Sequence, residues 1–172
     1  SYLSAQVINN SVNKQHNYIT LNRGSEEGIK PEMGVVSRDG VIGVVRGVSP
    51  HFSTVMSLLN NELRISAKLK NSGFFGSLSW NGRDYQYAFL NEIPLHADVH
   101  PGDTIVTSGY SSIFPEDVHI GFVESYKKKG GSFYEIEVKL SVDFKKISEV
   151  YIIRNLQKKE QTKLEKQMKR ND

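Results

Sequence analysis

The 172-residue chain contains no cysteine and no long apolar run, and it has only one tryptophan. The lack of cysteine excludes disulfides, thiolate metal sites and a cysteine nucleophile. It leaves the compartment open, because cysteine-free proteins occur on both sides of a membrane. No stretch approaches the ~18 consecutive apolar residues of a membrane helix. The chain starts at Ser1, and we expect it to be a soluble part excised from a longer protein.

Strong charge of one sign is also absent from most of the chain. The net charge is +3, and the basic excess is concentrated beyond Ile153. The body before that residue is close to neutral, which argues against a uniformly basic nucleic-acid surface. Hydrophobic residues make up 38% of the chain, and the mean hydropathy is −0.42. This composition favours small cores, so it suits two modest β units better than one large unit.

Short segments separated by turn residues fill the rest of the sequence. The segment 133–140 alternates polar and apolar residues, which is typical of a half-buried strand. Asp39-Gly40 predicts a type I′ hairpin turn, since both residues tolerate positive φ, and Asn81-Gly82 predicts a second hairpin turn. About twelve such strands and almost no helical pattern argue for a sandwich or a barrel.

Two stretches of the chain resemble each other in the order of their residues. Pro31 and Pro101 lie 70 residues apart, and Gly43 and Gly121 lie 78 residues apart. A shared order with one loop insertion indicates two related β units, and two copies are too few for a solenoid. We therefore predict an all-β fold with two small β-barrel-like domains in tandem and little helix.

The predicted domain boundary lies at Asn60-Asn61. The first domain comprises residues 1–61 and the second residues 62–155, and the last strand, 149–154, is able to complete either one. Residues 156–172 form a polar, Lys/Gln-rich tail with too few apolar residues for a core of its own. We expect a frayed helix or a disordered end there, and favour a solvated tail over a partner-binding one.

Catalytic and metal-binding motifs are weak or missing. The five histidines show neither HExxH spacing nor a CxxC partner, so we predict no metal site, and without a P-loop motif we predict no cofactor. Ser108 precedes Gly109, but the GDSG context of a serine hydrolase is absent. A turn after a strand accounts for the pair, and we predict no catalytic residue. A chymotrypsin-like barrel hydrolase stays an alternative, and it requires a histidine within hydrogen-bond reach of Ser108 with an acidic partner behind it.

Aromatic side chains cluster across one predicted hairpin. The candidate protein-binding residues are Phe74, Phe75, Trp80, Tyr85 and Tyr87. Cross-strand packing in a barrel wall is one interpretation, and an exposed apolar hairpin that docks a protein is the other. Only Lys70 and Arg83 flank the set, so a nucleic-acid platform with interleaved basic residues is not favoured.

An ordered set of short motifs resembles the MreC family of bacterial rod-shape-determining proteins. The set comprises Val7-Ile8, the stretch 18–29, the Gly/Val runs at 34–36 and 40–45, and Ser53-Thr54-Val55. Its best piece is PGDTIVTSG at 101–109, which Phe114-Pro115, Ile120-Gly121 and Val123 follow. The matches keep the family's order over roughly residues 5–153. The tail and the hairpin 74–90 are the least similar parts.

The resemblance implies a non-enzymatic scaffold that maintains rod shape by organising peptidoglycan synthesis in the elongation machinery. It implies self-association into dimers or filaments and contacts with a class B penicillin-binding protein, MreD and the rod-shape transglycosylase. It also implies a periplasmic or extracytoplasmic location, with a membrane helix and a coiled coil preceding the two β domains in the full-length protein. No nucleic acid is expected as a partner. An oligonucleotide-binding barrel is a third alternative, which the near-neutral body disfavours because it requires a continuous basic groove.

Overall fold

The computed structural model describes residues 1–154 and 158–170, and strands dominate it. The strands are β1 (Tyr2–Asn10), β2 (His16–Leu21), β3 (Gly34–Ser37), β4 (Gly40–Val48), β5 (Ser53–Asn60), β6 (Ile65–Leu69), β7 (Phe75–Ser79), β8 (Tyr87–Pro94), β9 (Thr104–Thr107), β10 (His119–Lys129), β11 (Phe133–Leu140) and β12 (Glu149–Ile153). One turn of 3-10 helix covers Ser25–Glu27, and helix α1 covers Lys158–Arg170. The predicted fold class, all-β with little helix, is confirmed.

The strands close into two six-stranded barrels. The order around the first barrel is β1, β12, β3, β4, β5 and β2, and around the second it is β7, β6, β9, β10, β11 and β8. All neighbouring strands are antiparallel. Closure removes the free sheet edges that a pair of small open sheets would expose to other chains.

The two barrels share one topology. If β1–β6 and β7–β12 are taken as the two repeats, each barrel consists of five strands of one repeat and the sixth strand of the other. Strands β1 to β5 match β7 to β11 in their places around the barrel. The sixth place is exchanged: β6 follows β5 along the chain but belongs to the second barrel, and β12 returns to the first. The first barrel is therefore incomplete without β12, which lies about 90 residues beyond β5 in the sequence. The division of the chain into residues 1–61 and 62–155 as folding units stays a prediction.

The repeat extends to the turns that lead into β3 and β9. Glu32 and Gly102 both have positive φ, at 72° and 90°. The N–H of Glu32 donates to the carbonyl oxygen of Val45 at 2.8 Å, and that of Gly102 donates to Val123 at 2.7 Å. The preceding prolines suit the first central position of such a turn. The two stretches that resemble each other in sequence thus have the same local structure.

The two predicted hairpins form, but neither turn has the predicted geometry. Ser37 pairs with Gly40, so the turn is Arg38-Asp39, and Asp39 is not among the described residues with positive φ. Gly40 has φ 147°, and no other residue would fit there without a shift, because a Cβ at this position would lie 2.6 Å from the carbonyl oxygen of His119. The β7–β8 connection spans 80–86 rather than two residues. Its loop is fixed by the indole N–H of Trp80, which donates to the carbonyl oxygen of Asp84 at 2.9 Å.

The barrel interiors and the junction between the barrels form one continuous apolar core. Phe114, from the loop between β9 and β10, is 4% exposed and lies over Gly34 at the start of β3. A Cβ at Gly34 would lie 2.8 Å from both the Phe114 ring and the carbonyl oxygen of Ile113. Interiors pack without room for extra atoms, so the absence of a side chain at Gly34 lets the two barrels meet.

Helix α1 confirms the helical alternative for residues 158–170 of the tail. Residues 155–157 and 171–172 of the predicted tail lie outside the described residues. In the described part of the chain, none of the helices has both the length and the apolar character required to cross a membrane.

Candidate protein-interaction surface

The loop between β9 and β10 is the longest insertion of the second repeat, and Thr107 holds it at its base. The Thr107 hydroxyl donates to the carbonyl oxygen of Pro115 at 2.7 Å and accepts from the N–H of Val118 at 2.9 Å. One buried side chain thereby satisfies polar groups from both sides of the turn. From this anchor the loop places Tyr110 against Phe75 of the second barrel and Phe114 against Gly34 of the first.

Ser108 is part of the same anchor. Its hydroxyl lies 2.7 Å from the Ser66 hydroxyl and accepts from the N–H of Tyr110 at 3.1 Å. In the described part of the chain, no histidine is among its hydrogen-bond partners, and the hydrolase alternative requires one. His119 instead bonds through Nε2 to the Ser141 hydroxyl at 2.6 Å, near the junction of the barrels.

The loop brings Tyr110 onto Phe75 and creates an exposed aromatic pair. The ring centroids lie 4.6 Å apart at an interplanar angle of 47°. Phe75 is 50% exposed and Tyr110 is 72% exposed. The two rings are in contact, yet both present apolar surface to solvent. Exposed aromatic anchors of this kind are typical of protein interfaces.

Charged side chains border the aromatic pair. Lys68, on the strand beside Phe75, forms ion pairs with Glu116 and, at 3.4 Å, with Asp117. The hydrogen bond to Glu116, with the carboxylate of Asp117 nearby, raises the pKa of Lys68 and keeps it charged. Apolar rings inside a charged border have the layout of an interface core and rim. We name Phe75, Tyr110, Lys68, Glu116 and Asp117 the aromatic patch.

The five residues predicted from the sequence do not lie on one face. Successive side chains of a strand point to opposite sides, so Phe75 lies outside while Trp80, beyond the end of the same strand, is 3% exposed and belongs to the core. Trp80 is therefore unable to contact a partner, which corrects that part of the prediction.

The remaining three predicted residues are partly covered by neighbours. Phe74 packs edge-on against His96, with centroids 5.1 Å apart. The ammonium groups of Lys145 and Lys139 lie over the rings of Tyr85 and Tyr87, at 4.4 and 4.8 Å from their centroids. Binding by these residues stays a prediction. The sequence analysis did not include Tyr110, because its partner ring, Phe75, is 35 residues away in sequence. The available signal was its position between the turn residues Gly109 and Ser111, which indicates an exposed loop.

Metal chemistry receives no support from these groups. In residues 1–154 and 158–170, no cluster of three or more His, Cys, Asp or Glu side chains has the spacing to hold an ion.

Comparison with known proteins identifies the family. The family model described as rod shape-determining protein MreC, barrel core, matches residues 7–154. The chain belongs to the MreC family. It is similar to the cell shape-determining protein MreC of Listeria monocytogenes, with 30% identity over 125 residues that cover 71% of this chain and 42% of that protein. It is also similar to MreC of Escherichia coli, with 27% identity over 124 residues that cover 71% of this chain and 33% of that protein.

Solved MreC structures have the same fold. The structure of Listeria monocytogenes MreC superposes with a TM-score of 0.83 at 26% identity, covering 90% of this chain and 76% of that one. A complex between penicillin-binding protein 2 and MreC from Helicobacter pylori superposes with a TM-score of 0.69 at 18% identity, covering 90% of this chain and 99% of that one. The second likeness shows the fold alone. The chain spans less than half the length of the two curated MreC relatives given above.

Proposed function

We propose that this chain is the extracytoplasmic β region of a non-enzymatic scaffold that maintains rod shape by organising peptidoglycan synthesis. Membership of a cell shape-determining family is shown, and the scaffold role is our inference from the surface. The observation that carries it is the aromatic patch. Phe75 and Tyr110 expose apolar rings on a barrel whose interior is filled by its own side chains. Such a barrel offers its outside to partners.

The proposed partner at the aromatic patch is a class B penicillin-binding protein. The Helicobacter pylori relative has been solved in a complex with penicillin-binding protein 2, which supports a penicillin-binding protein as the partner of a chain of the same fold. An aromatic pair with a charged border suits a protein partner, since desolvated rings supply most of the affinity and rim charges set orientation.

Further contacts are proposed on the basis of the family. These are self-association into dimers or filaments, and binding to MreD and to the rod-shape transglycosylase. We also propose that the full-length protein is anchored to the inner membrane through a segment outside this chain. Another solved relative is described as the major periplasmic domain from the cell shape-determining filament MreC, which supports the proposed location and self-association.

The test measures binding of this chain to the class B penicillin-binding protein of its own elongation machinery by biolayer interferometry. Phe75→Ser combined with Tyr110→Ser is expected to weaken binding by at least about tenfold, as for interface hot spots. The matched control is Phe52→Ser, on the first barrel, where Phe52 is 48% exposed and Phe75 is 50% exposed.

Both variants must keep the circular dichroism spectrum and melting temperature of the wild type. Full affinity in a folded double variant, or equal loss in Phe52→Ser, would show that the partner does not use the aromatic patch.

A further inference from the structure

The hairpin of β10 and β11 extends beyond the part of the second barrel in which β10 has neighbours on both sides. Up to Val123, β10 bonds to the segment 102–107 on one side and to β11 on the other. Beyond Val123, its described pairing is with β11 alone. All residues from 124 to 133 are exposed to solvent. We name residues 125–134 the hairpin tip.

Aromatic rings are exposed on both faces of the hairpin tip. Tyr126 lies opposite the buried Ile136, on the face that continues into the barrel interior, and its ring meets that of Tyr134 edge-on at a centroid distance of 5.3 Å. Phe133 lies opposite Lys129 on the other face, because successive side chains of a strand alternate. Tyr126 is 42% exposed and Phe133 is 44% exposed. A protein partner would cover one of these faces, whereas a lipid headgroup layer surrounds an inserted hairpin and covers both.

Positive charge is concentrated at the hairpin tip. It contains the three consecutive lysines 127–129 and no acidic residue. Glu135, next to the tip, forms ion pairs with the first and third of these lysines, at 3.6 and 2.8 Å. In the described part of the chain, Lys128 has no ion pair. The other nearby acids, Glu124 and Glu137, lie closer to the barrel, so the tip keeps a net positive charge.

The turn at the end of the hairpin tip is small. Gly130 and Gly131 have φ of 67° and 77°, a conformation that favours glycine. A Cβ at either position would have no atom within 4 Å, so the turn lies in open space. The lysines and rings behind this turn are therefore free to approach a flat surface without obstruction from a larger side chain.

Lysines beside exposed aromatic rings match the two layers of a membrane surface. Anionic headgroups attract ammonium groups, and aromatic rings enter the boundary between headgroups and acyl chains. A nucleic acid would need a continuous basic groove, which three lysines on one narrow hairpin do not provide. We propose that the hairpin tip binds the surface of a membrane that contains anionic lipids. This contact is independent of the partner proposed for the aromatic patch, and its small size makes it weak and reversible.

The experiment measures co-sedimentation of the full chain with lipid vesicles at low ionic strength. The vesicles consist of phosphatidylcholine alone or of phosphatidylcholine mixed with phosphatidylglycerol. Binding to the anionic vesicles is expected to be at least about tenfold tighter, because each ammonium group gains from the negative surface potential. Binding should weaken when salt is raised, since salt screens this attraction.

Replacement of two lysines by glutamine tests the charge of the hairpin tip. Lys128→Gln with Lys129→Gln is expected to weaken binding to anionic vesicles by about tenfold. Lys166→Gln with Lys169→Gln removes the same charge from helix α1. This control is expected to change binding by less than about threefold, since salt screens charges that do not lie at the membrane surface. Circular dichroism and the melting temperature verify that both variants are folded.

Replacement of two rings by serine tests the aromatic contribution. Tyr126→Ser with Phe133→Ser is expected to weaken binding to anionic vesicles by about fivefold or more, because the apolar area buried in the interface is lost. The matched control is Tyr18→Ser with Phe52→Ser on the first barrel, where the two rings are 44% and 48% exposed. This control is expected to change binding by less than about twofold.

A tryptophan probe locates the hairpin tip on the membrane. Phe133→Trp is expected to lose fluorescence on anionic vesicles that contain brominated phosphatidylcholine, since bromine quenches an indole on contact. Phe52→Trp, on the first barrel, is expected to keep its fluorescence. Trp80 gives the same background in both variants, because it is 3% exposed and belongs to the core.

Several results would overturn the proposal. These are no binding to anionic vesicles, equally tight binding to phosphatidylcholine alone, equal weakening by a hairpin variant and its control, and no quenching in Phe133→Trp. Equally tight binding of a short oligothymidylate would overturn it in favour of a nucleic acid. Loss of affinity for the penicillin-binding protein in the Lys128/Lys129 variant would overturn it in favour of that protein.

Discussion

Gly43 of β4 and Gly121 of β10 occupy the same place in the two barrels. A Cβ at Gly43 would lie 2.1 Å from the carbonyl oxygen of Met56, and a Cβ at Gly121 would lie 2.1 Å from that of Lys139. Both oxygens belong to the next strand of the same barrel, β5 in one case and β11 in the other. The glycines that mark the repeat in the sequence are therefore required by the close approach of two backbones.

Alanine at either of these positions is expected to destabilise the chain strongly. The obstacle is a backbone oxygen rather than a flexible side chain, so Gly43→Ala and Gly121→Ala should each cost roughly 3 kcal/mol or more. Gly73→Ala is the control, because Gly73 has φ 80° but a Cβ there would have no atom within 4 Å. Its cost should be about 1 kcal/mol, from backbone conformation alone. Urea unfolding measures all three, and equal costs would contradict the steric account.

Replacement of Thr107 by valine tests the anchor of the β9–β10 loop. Valine keeps the shape of the side chain but leaves the Pro115 carbonyl and the Val118 N–H without their partner. We expect a loss of about 1–3 kcal/mol in the free energy of unfolding. Thr104→Val on the same strand is the control, since no side-chain hydrogen bond is described for Thr104. Hydrogen exchange of Val118 should accelerate in Thr107→Val only, and unchanged exchange there would contradict the role of the hydroxyl.

Local features of the fold were predictable because local residues determine them. Strand β11 has the predicted bounds, Phe133–Leu140, because polar and apolar residues alternate along it. The repeat was visible in the sequence because the same close backbone contact requires glycine at position 43 in one barrel and at position 121 in the other. The motif order was enough to indicate the family.

Non-local features were beyond the sequence argument. The place of β12 depends on its pairing with β1 and β3, more than 100 residues earlier. Alternation shows that a strand has two faces but not which face is inside, which is why Trp80 was placed wrongly. Asn17 is a polar residue with polar neighbours in sequence, yet it is fully buried, and its amide donates to the carbonyl oxygens of Lys14 and Leu59.

The exchange of the sixth strand predicts how fragments of the chain behave. Residues 1–61 lack β12, so β1 and β3 would keep open edges, and we expect this fragment to be unfolded. Residues 62–147 contain all six strands of the second barrel and are expected to fold. A peptide of residues 148–154 should restore dispersed NMR signals to the first fragment, whereas the same peptide with Ile152→Asp should not, because Ile152 is fully buried. A folded fragment 1–61 without the peptide would contradict the role of β12.

His119 is expected to make stability depend on pH. Burial, reinforced by Lys70 and opposed by Asp39, lowers the pKa of His119 from its usual value of 6.5. Below 6.5 the unfolded chain therefore binds a proton that the folded chain does not, so this contribution to stability is complete above 6.5 and declines as the pH falls toward the lowered pKa. Urea unfolding from about pH 5 to 8 should show this decline in the wild type and in Ser141→Ala, which keeps the imidazole, but a smaller one in His119→Gln. The same pH dependence in His119→Gln would contradict the assignment.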